Sequence, residues 1–480
     1  MSTDLDRMFN ALRQDADAIP LTEAISARRR GERRRRTQLV ATAVAVVCAV
    51  VAGLAGGSWL TRDLAGPEPE PVAPPDRVVE LGPPRPLNEE IAFGGRPEFA
   101  LTALGGDRVY ASWFAGDQLT VAAADLETGR PVWPPRALGE FDDSNGIVAL
   151  PHALLAIGEH NDGTVPDQLL FIIDPDSGEV RWELPFSIND DHLLFFEAAA
   201  VLVTADGTSR GYDWGTGRVL WEELHPAERP VMSIGMHQVD GELPTGALEQ
   251  HPPLLRDPRL LQITASGNLL VRDAATGAVT ATRAGVAPSS HANYIAFGGR
   301  LYGYSLTEQT NRLRVSDVDG TGAPRDIFTG APGHNITSLA ACGAGRVCVL
   351  DIYDEAQVIA IDVDRGREAW RVGAPRDVEL LTSAGARVLA TGRSHELGTV
   401  SVLLDQDGRQ VLRSDTQVVW LSSGTLLSFG ATELAAVDAA DGSVRVLGEL
   451  PEHGRYCSWT ERRVACPTAT GFQVWDISPR

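Results

Sequence analysis

The side chains able to do chemistry in this 480-residue chain fall into a few patterns. Aspartates recur in one outline, an Asp with a Gly four places on and, in several copies, a Trp four places after that. The full copies are Asp125, Gly129 and Trp133; Asp174, Gly178 and Trp182; Asp213, Gly217 and Trp221; and Asp362, Gly366 and Trp370. Asp273 with Gly277 and Asp438 with Gly442 keep the first two members, and Asp317 and Asp405 have the Gly displaced by one. A carboxylate at fixed spacing can ligate a metal, act as a general base or hold a turn. Catalysis seldom needs five or more copies of one residue, whereas turns are needed repeatedly. Asp accepts backbone N–H groups two residues on, Thr or Ser does so more weakly, and Gly supplies the positive φ that sends the chain into another strand. The outline is therefore read as a strand-to-strand turn, and the Trp as a flat side chain filling the seam between neighbouring sheets.

Other candidates are weaker. His225, His237 and His251 lie in a Pro-rich insertion between Glu222 and Arg259, and scattered loop histidines are read as solvated. Asp317 and Asp319 have the spacing of a calcium loop, which turn chemistry explains more cheaply. HExxH, GxSxG and a zinc-type Cys/His cluster are absent. All 42 basic residues are arginine, which excludes a P-loop lysine, a kinase lysine and a pyridoxal Schiff base at once. Cys342 and Cys348 flank the tight turn GAGRV, and Cys457 and Cys466 flank SWTERRVA. Opposed residues on the two arms of a hairpin have Cα atoms about 4.5–5.5 Å apart, within disulfide reach. Two local disulfides are expected, in keeping with an oxidising compartment.

The elements that position these residues are strands. Before each Asp lies a β-branched or alternating run such as QLLFIID, ELAAVD or QVIAID, preceded across a Gly-rich gap by another such as RVYASWF or RVLATG. Each pair reads as a β-hairpin. Counting Asp476 as a last, truncated copy, successive markers are 49, 39, 60, 44, 45, 43, 33 and 38 residues apart. A period near 44 with four strands per unit and no helical pattern describes an all-β fold, a β-propeller. About eight four-stranded blades are expected, seven to nine being compatible with the count, and the 60-residue interval is where one unit is expected to decorate another. The run VVEL, Val78 to Leu81, is a candidate outer strand for the blade ending at Asp476, closing the ring.

The phrase AxDxxTGxxxW around Asp125, Asp174, Asp213 and Asp362 resembles the repeat of the PQQ-binding-like propellers, the superfamily that includes quinoprotein alcohol dehydrogenases and the BamB-type outer-membrane-barrel assembly lipoprotein. The resemblance covers residues of roughly 95 to 480 and implies that the Trp docks one blade on the next. WD-repeat proteins are the nearest rival, but only Trp475 and Asp476 offer a closing Trp-Asp. In the quinoprotein branch the resemblance implies an adjacent Cys-Cys pair over the cofactor and a calcium-binding carboxylate set beside an Asp base. No two cysteines are adjacent here, so neither a cofactor nor a metal is expected.

Ahead of the repeats the chain changes character. Residues 39–60 contain no charge, and 22 helical residues at about 1.5 Å each span the roughly 30 Å hydrocarbon core. Seven arginines between Arg28 and Arg36 stand just before this stretch, a flank retained on the cytoplasmic side. The reading is a cytoplasmic Arg-rich tail over 1–37, a transmembrane helix over 38–60, a Pro-rich linker over 61–92 and a propeller over 93–480. A cleaved export signal, cut near Gly53-Leu54-Ala55, is the competing reading; the 38 residues ahead of the apolar stretch favour an uncleaved anchor. Either way the propeller is extracytoplasmic. Residues 1–60 carry a net +3, leaving −25 of the chain's −22 on the remainder, a charge that repels nucleic acid and anionic lipid.

Two function classes follow. The favoured one is a non-catalytic, single-pass, membrane-anchored propeller at the cell envelope, binding an extracytoplasmic protein or cell-wall ligand. The alternative is a PQQ-dependent quinoprotein oxidoreductase with a rearranged site.

Overall fold

The computed structural model describes residues 76–480 apart from 98, 162–165, 188, 226–227, 238–253, 287–291, 307–310, 332, 344, 354, 395–397 and 452–455. The Arg-rich tail, the expected span and the chain up to residue 75 lie outside the described residues. Among those described, no helix is long and apolar enough to cross a membrane.

The described chain is all-β. Nine antiparallel units follow one another, over residues 100–140, 143–186, 192–224, 230–283, 292–329, 335–374, 378–414, 417–449 and 458–476, numbered here blades 1 to 9. The first eight each hold four strands in sequence order. Blades 4 and 5 are also joined edge to edge, Met236 and His237 pairing parallel with Ala296 and Phe297. Blade 9 has three strands of its own and is completed by Arg85–Pro86 and Ile91–Ala92, both antiparallel to Gly471–Asp476.

Nine is the upper end of the expected range, and two details differ from expectation. The 60-residue interval between Asp213 and Asp273 holds a complete blade 4, whose first two strands, Pro230–His237 and Arg259–Thr264, are separated by an insertion; among the described residues no unit decorates another there. The run Val78 to Leu81 forms no strand. It lies instead against blades 8 and 9, with Val79 N–H donating to Thr425 Oγ1 at 2.9 Å and Leu81 packed beside Leu427 and Ile477. The outer edge of blade 9 is capped by the residues that follow it.

Burial explains the strand sequences. The second and third strands of a blade are covered on both faces, so Arg108–Ala115 (RVYASWFA) and Gln118–Asp125 (QLTVAAAD) are almost continuously apolar rather than alternating. Outer strands face solvent. In Val219–Leu224 (VLWEEL) only Trp221 is buried. Consecutive blades share apolar clusters all the way round, and blade 9 packs Ala465, Phe472 and Val474 against Leu101 and Trp113 of blade 1. The sheets therefore form a closed ring. Connections between first and second strands, and between third and outer strands, fall at one end of it, the turn end. The remaining connections fall at the other, the loop end.

Candidate functional site

The recurrent aspartates all lie at the turn end, each at the close of a third strand. In blade 1 the Asp125 carboxylate accepts the Thr128 N–H at 2.7 Å and its hydroxyl at 2.6 Å, while Gly129 N–H donates to the Asp125 carbonyl at 2.8 Å. Asp213 with Thr216 and Asp273 with Thr276 repeat this set. Asp174 accepts the Ser177 N–H, Asp362 the Arg365 N–H and Asp438 the Ala440 N–H. The threonine hydroxyl is the main reason Asp125 and Asp213 stand below the usual carboxylate range. These carboxylates are consumed by their own turns.

The tryptophans tie each turn to the preceding blade. Trp133 Nε1 donates to the Pro175 carbonyl at 3.2 Å, Trp182 to Trp214 at 3.0 Å, Trp221 to Ala274 at 2.9 Å and Trp370 to Gln406 at 2.9 Å. In every case the acceptor is the residue immediately after the turn Asp of the next blade. A β-bulge precedes each ring: Val132, Arg181, Leu220 and Ala369 are skipped in the pairing of the outer strand with the third, which aims the following Trp across the seam.

The turn glycine has two reasons to be glycine. At Gly178, Gly217 and Gly277 φ is +72°, +68° and +73°, a region that L side chains rarely adopt. A Cβ there would also stand 2.6–2.7 Å from the ring of Trp133, Trp182 or Trp221. Sequence reasoning supplied the first reason and missed the second.

It also missed a second interblade bond. Arg108, Arg259, Arg300, Arg346, Arg387 and Arg463 each open the second strand of a blade. Arg108 reaches Asp176 of blade 2 at 2.6 Å, Arg259 reaches Asp319 of blade 5 at 2.7 Å and Arg300 reaches Asp364 of blade 6 at 2.7 Å. Arg346 donates to the Gln406 carbonyl of blade 7 at 3.0 Å. Arg463 closes the ring, binding Asp476 at 2.7 Å in its own blade and the Leu126 carbonyl at 3.1 Å and Glu127 carboxylate in blade 1. The signal was legible as Arg followed by Val or Leu at the start of each such run. A guanidinium fork serves carboxylate and carbonyl together, which an ammonium does not.

The metal and cofactor candidates are placed elsewhere. Asp317 and Asp319 face Arg300 and Arg259, not each other's ligand. His225 follows the outer strand of blade 3, where its Nε2 meets Nη2 of the buried Arg272. Arg272 also donates to Gln262 at 2.7 Å and to the Gly277 carbonyl at 2.7 Å, and Gln262 donates to Ser209 at 2.9 Å, so blades 3 and 4 share a buried polar chain. Burial pulls the Arg272 guanidinium below its ordinary value. His237 ends the inner strand of blade 4, and His251 lies outside the described residues. Among the described residues no group of three His, Cys, Asp or Glu comes together.

Cys342 is bonded to Cys348, with Cα atoms 5.7 Å apart, and Cys457 to Cys466, with Cα atoms 4.2 Å apart. Each closes a hairpin of one blade, at the turn end of blade 6 and across the first two strands of blade 9. The cystines are separate and local, and the two acids with calcium-loop spacing, Asp317 and Asp319, are each paired with an arginine. These residues do not fit the quinone-and-calcium site that the quinoprotein branch implies.

Residues 120–331 match a family model described as outer membrane protein assembly factor BamB. Among solved structures, BamB from Moraxella catarrhalis is 18% identical with a TM-score of 0.43, over 75% of this chain and 98% of that one. The computationally designed Ika8 protein is 16% identical with a TM-score of 0.41, over 75% of this chain and 99% of that one. No curated protein matches the sequence. The family match spans the turns at Asp125, Asp174, Asp213, Asp273 and Asp317 with the docked rings of Trp133, Trp182 and Trp221, and over that span the chain is a PQQ-repeat, BamB-like propeller protein.

Proposed function

We propose that the chain is a non-catalytic, single-pass, membrane-anchored propeller that works outside the cytoplasm as a protein-interaction module at the cell envelope. The observation that carries this reading is the use of the repeated acids. Carboxylates that could have served a metal or a base are occupied by turn N–H groups, threonine hydroxyls and interblade arginines. What the ring offers is a rigid scaffold with loops at its ends, and loops on a rigid scaffold are where binding surfaces are commonly built. The family matched over residues 120–331 is described as an assembly factor, a role in keeping with protein partners. The uncharged stretch over 39–60 behind its arginines supports the anchor.

Crosslinking in intact membranes followed by identification of captured proteins is the direct test. A reproducible partner, lost when the loop end is altered, supports the reading. Purified protein incubated with PQQ and calcium is expected to show neither dye-linked alcohol oxidation nor a thermal shift. Saturable binding with turnover of a primary alcohol would replace the module with the oxidoreductase. Protease added to intact cells should remove the ring and leave a membrane-bound fragment of about 60–70 residues; a mature N-terminus near Gly56 contradicts the anchor.

A further inference from the structure

The route by which the chain enters the ring carries an orientation. Asp76 binds Arg387 at 2.8 Å, beside the hairpin that joins the two innermost strands of blade 7. Arg77 N–H donates to Ser423 Oγ at 2.9 Å, and its carbonyl accepts Gly424 N–H at 3.1 Å and the Ser422 hydroxyl; all three belong to the corresponding hairpin of blade 8. The Arg77 guanidinium reaches Glu461 of blade 9 at 2.7 Å. From there the chain runs outward, with Gly82 N–H on the Ile477 carbonyl at 2.8 Å and Arg85 on Asp476 at 2.6 Å. Every one of these partners is at the turn end. The entry point is over innermost hairpins, nearer the axis than the rim.

The two ends also differ in charge. At the turn end acids alternate with the arginines that bind them across the seams. At the loop end, Asp117, Asp142, Asp167, Asp190, Asp191 and Asp206 lie on blades 1 to 3, and no arginine falls in the described loops of that end between residues 116 and 207. Asp206 is held down to about 2, chiefly by the Thr204 hydroxyl, so it is ionised at neutral pH.

We infer that the turn end faces the bilayer and the acidic loop end faces away from it. This rests on the anchor reading above. Residues 61–75 separate the expected span from Asp76. Even fully extended, at about 3.3–3.6 Å per residue, such a tether reaches only about 50 Å, and it must start over the inner hairpins of the turn end. To bring the loop end down, it would first have to travel out around the rim. Where the facing leaflet is anionic, its potential opposes that arrangement as well, by repelling the aspartates of the loop end over about a Debye length.

Two exposed alanines at opposite ends of one strand make the test. Ala431 and Ala440 flank Glu433–Asp438 of blade 8, Ala431 at the loop end and Ala440 in the Asp438 turn. Each is changed to cysteine in the full-length chain carrying Cys48→Ala, labelled with a donor fluorophore, and reconstituted in vesicles containing phosphatidylglycerol and an acceptor-labelled lipid. The donor at 440 should transfer about twofold more efficiently than the donor at 431, the two sites being separated by about 20 Å of strand. Equal transfer, or more from 431, overturns the orientation while leaving the anchor standing. Release of the chain from the vesicles by alkaline carbonate overturns the anchor, and the orientation with it.

Discussion

Six seams of the ring share one carbonyl acceptor, met in two ways. Four of them, from blade 1 to 2, 2 to 3, 3 to 4 and 6 to 7, carry a tryptophan on the carbonyl that follows the next turn Asp. At the seam from blade 5 to 6 the same carbonyl, that of Val363, is taken by Arg325, which stands eight places after Asp317 as Trp133 stands eight after Asp125. At the closing seam the Leu126 carbonyl is taken by Arg463, from a different strand altogether. Across these six seams the acceptor is constant and the donor is not. The repeat is held by a requirement to satisfy one backbone carbonyl beside a positive-φ glycine, and a ring N–H or a guanidinium meets it equally.

Substitutions can break this comparison, and the largest effect belongs to a buried ring. Trp221→Ala should cost about 3–5 kcal/mol in denaturant unfolding, since it empties a seam and strands the Ala274 carbonyl. An unchanged unfolding midpoint would mean that the ring is not what joins blades 3 and 4. Next come the glycines. Gly277→Ala meets both a φ of +73° and the Trp221 ring at 2.6 Å, and should cost more than the roughly 1–3 kcal/mol of backbone strain alone. Gly366→Ala faces a φ of +59° but nothing nearer than Arg325 at 3.8 Å, so strain should be its whole cost. Equal losses at the two sites would remove the second role assigned to glycine.

The arginine seams should answer more gently. Arg463→Met takes charge-assisted bonds from a nearly buried side chain and should destabilise by about 1.5–3 kcal/mol, with limited proteolysis appearing first near residues 76–92. Arg463→Lys should recover only part of this, because one ammonium cannot serve Asp476, Glu127 and Leu126 together. Smallest is the response to acid. Asp125 and Asp213 have folded values below the unfolded one, so their contribution is complete above about pH 4 and is lost as pH falls through the folded values. The melting temperature should hold from neutrality to about pH 4 and then decline, and Thr216→Val should flatten that decline slightly while lowering the plateau.

Much of this was legible because it is local. The turn from Asp213 to Gly217 is specified within five residues, and each cystine spans a single hairpin, so neighbours in sequence are neighbours in space. The seams were only half legible. Trp221 is conspicuous, but its acceptor is the Ala274 backbone carbonyl, 53 residues away, which no side chain announces. Arg108 escaped because arginine at a strand start reads as a solvated charge until Asp176 is found opposite. The closing strand was misplaced for a related reason: VVEL has the better strand composition, yet Leu81 is drawn into the apolar seam of blades 8 and 9, and the less strand-like Arg85–Pro86 and Ile91–Ala92 take the edge. A fold-level pattern says nothing of which residues a nucleic acid, a quinone or a protein would touch, and the function had to be argued from how the carboxylates are occupied.

The pairing of Arg85 with Asp476 spans 391 residues, whereas every other sheet is assembled from a contiguous stretch of the chain. Contacts of such separation form late, because the entropy of closing the loop must be met before they return anything. Eight blades can therefore assemble in turn as the polypeptide emerges, while the segment around Arg85 waits with its edge unpaired for the final hairpin. The ring is completed in time, as in space, by its two ends meeting, and a chain interrupted shortly before residue 471 loses not one blade but the closure of all nine.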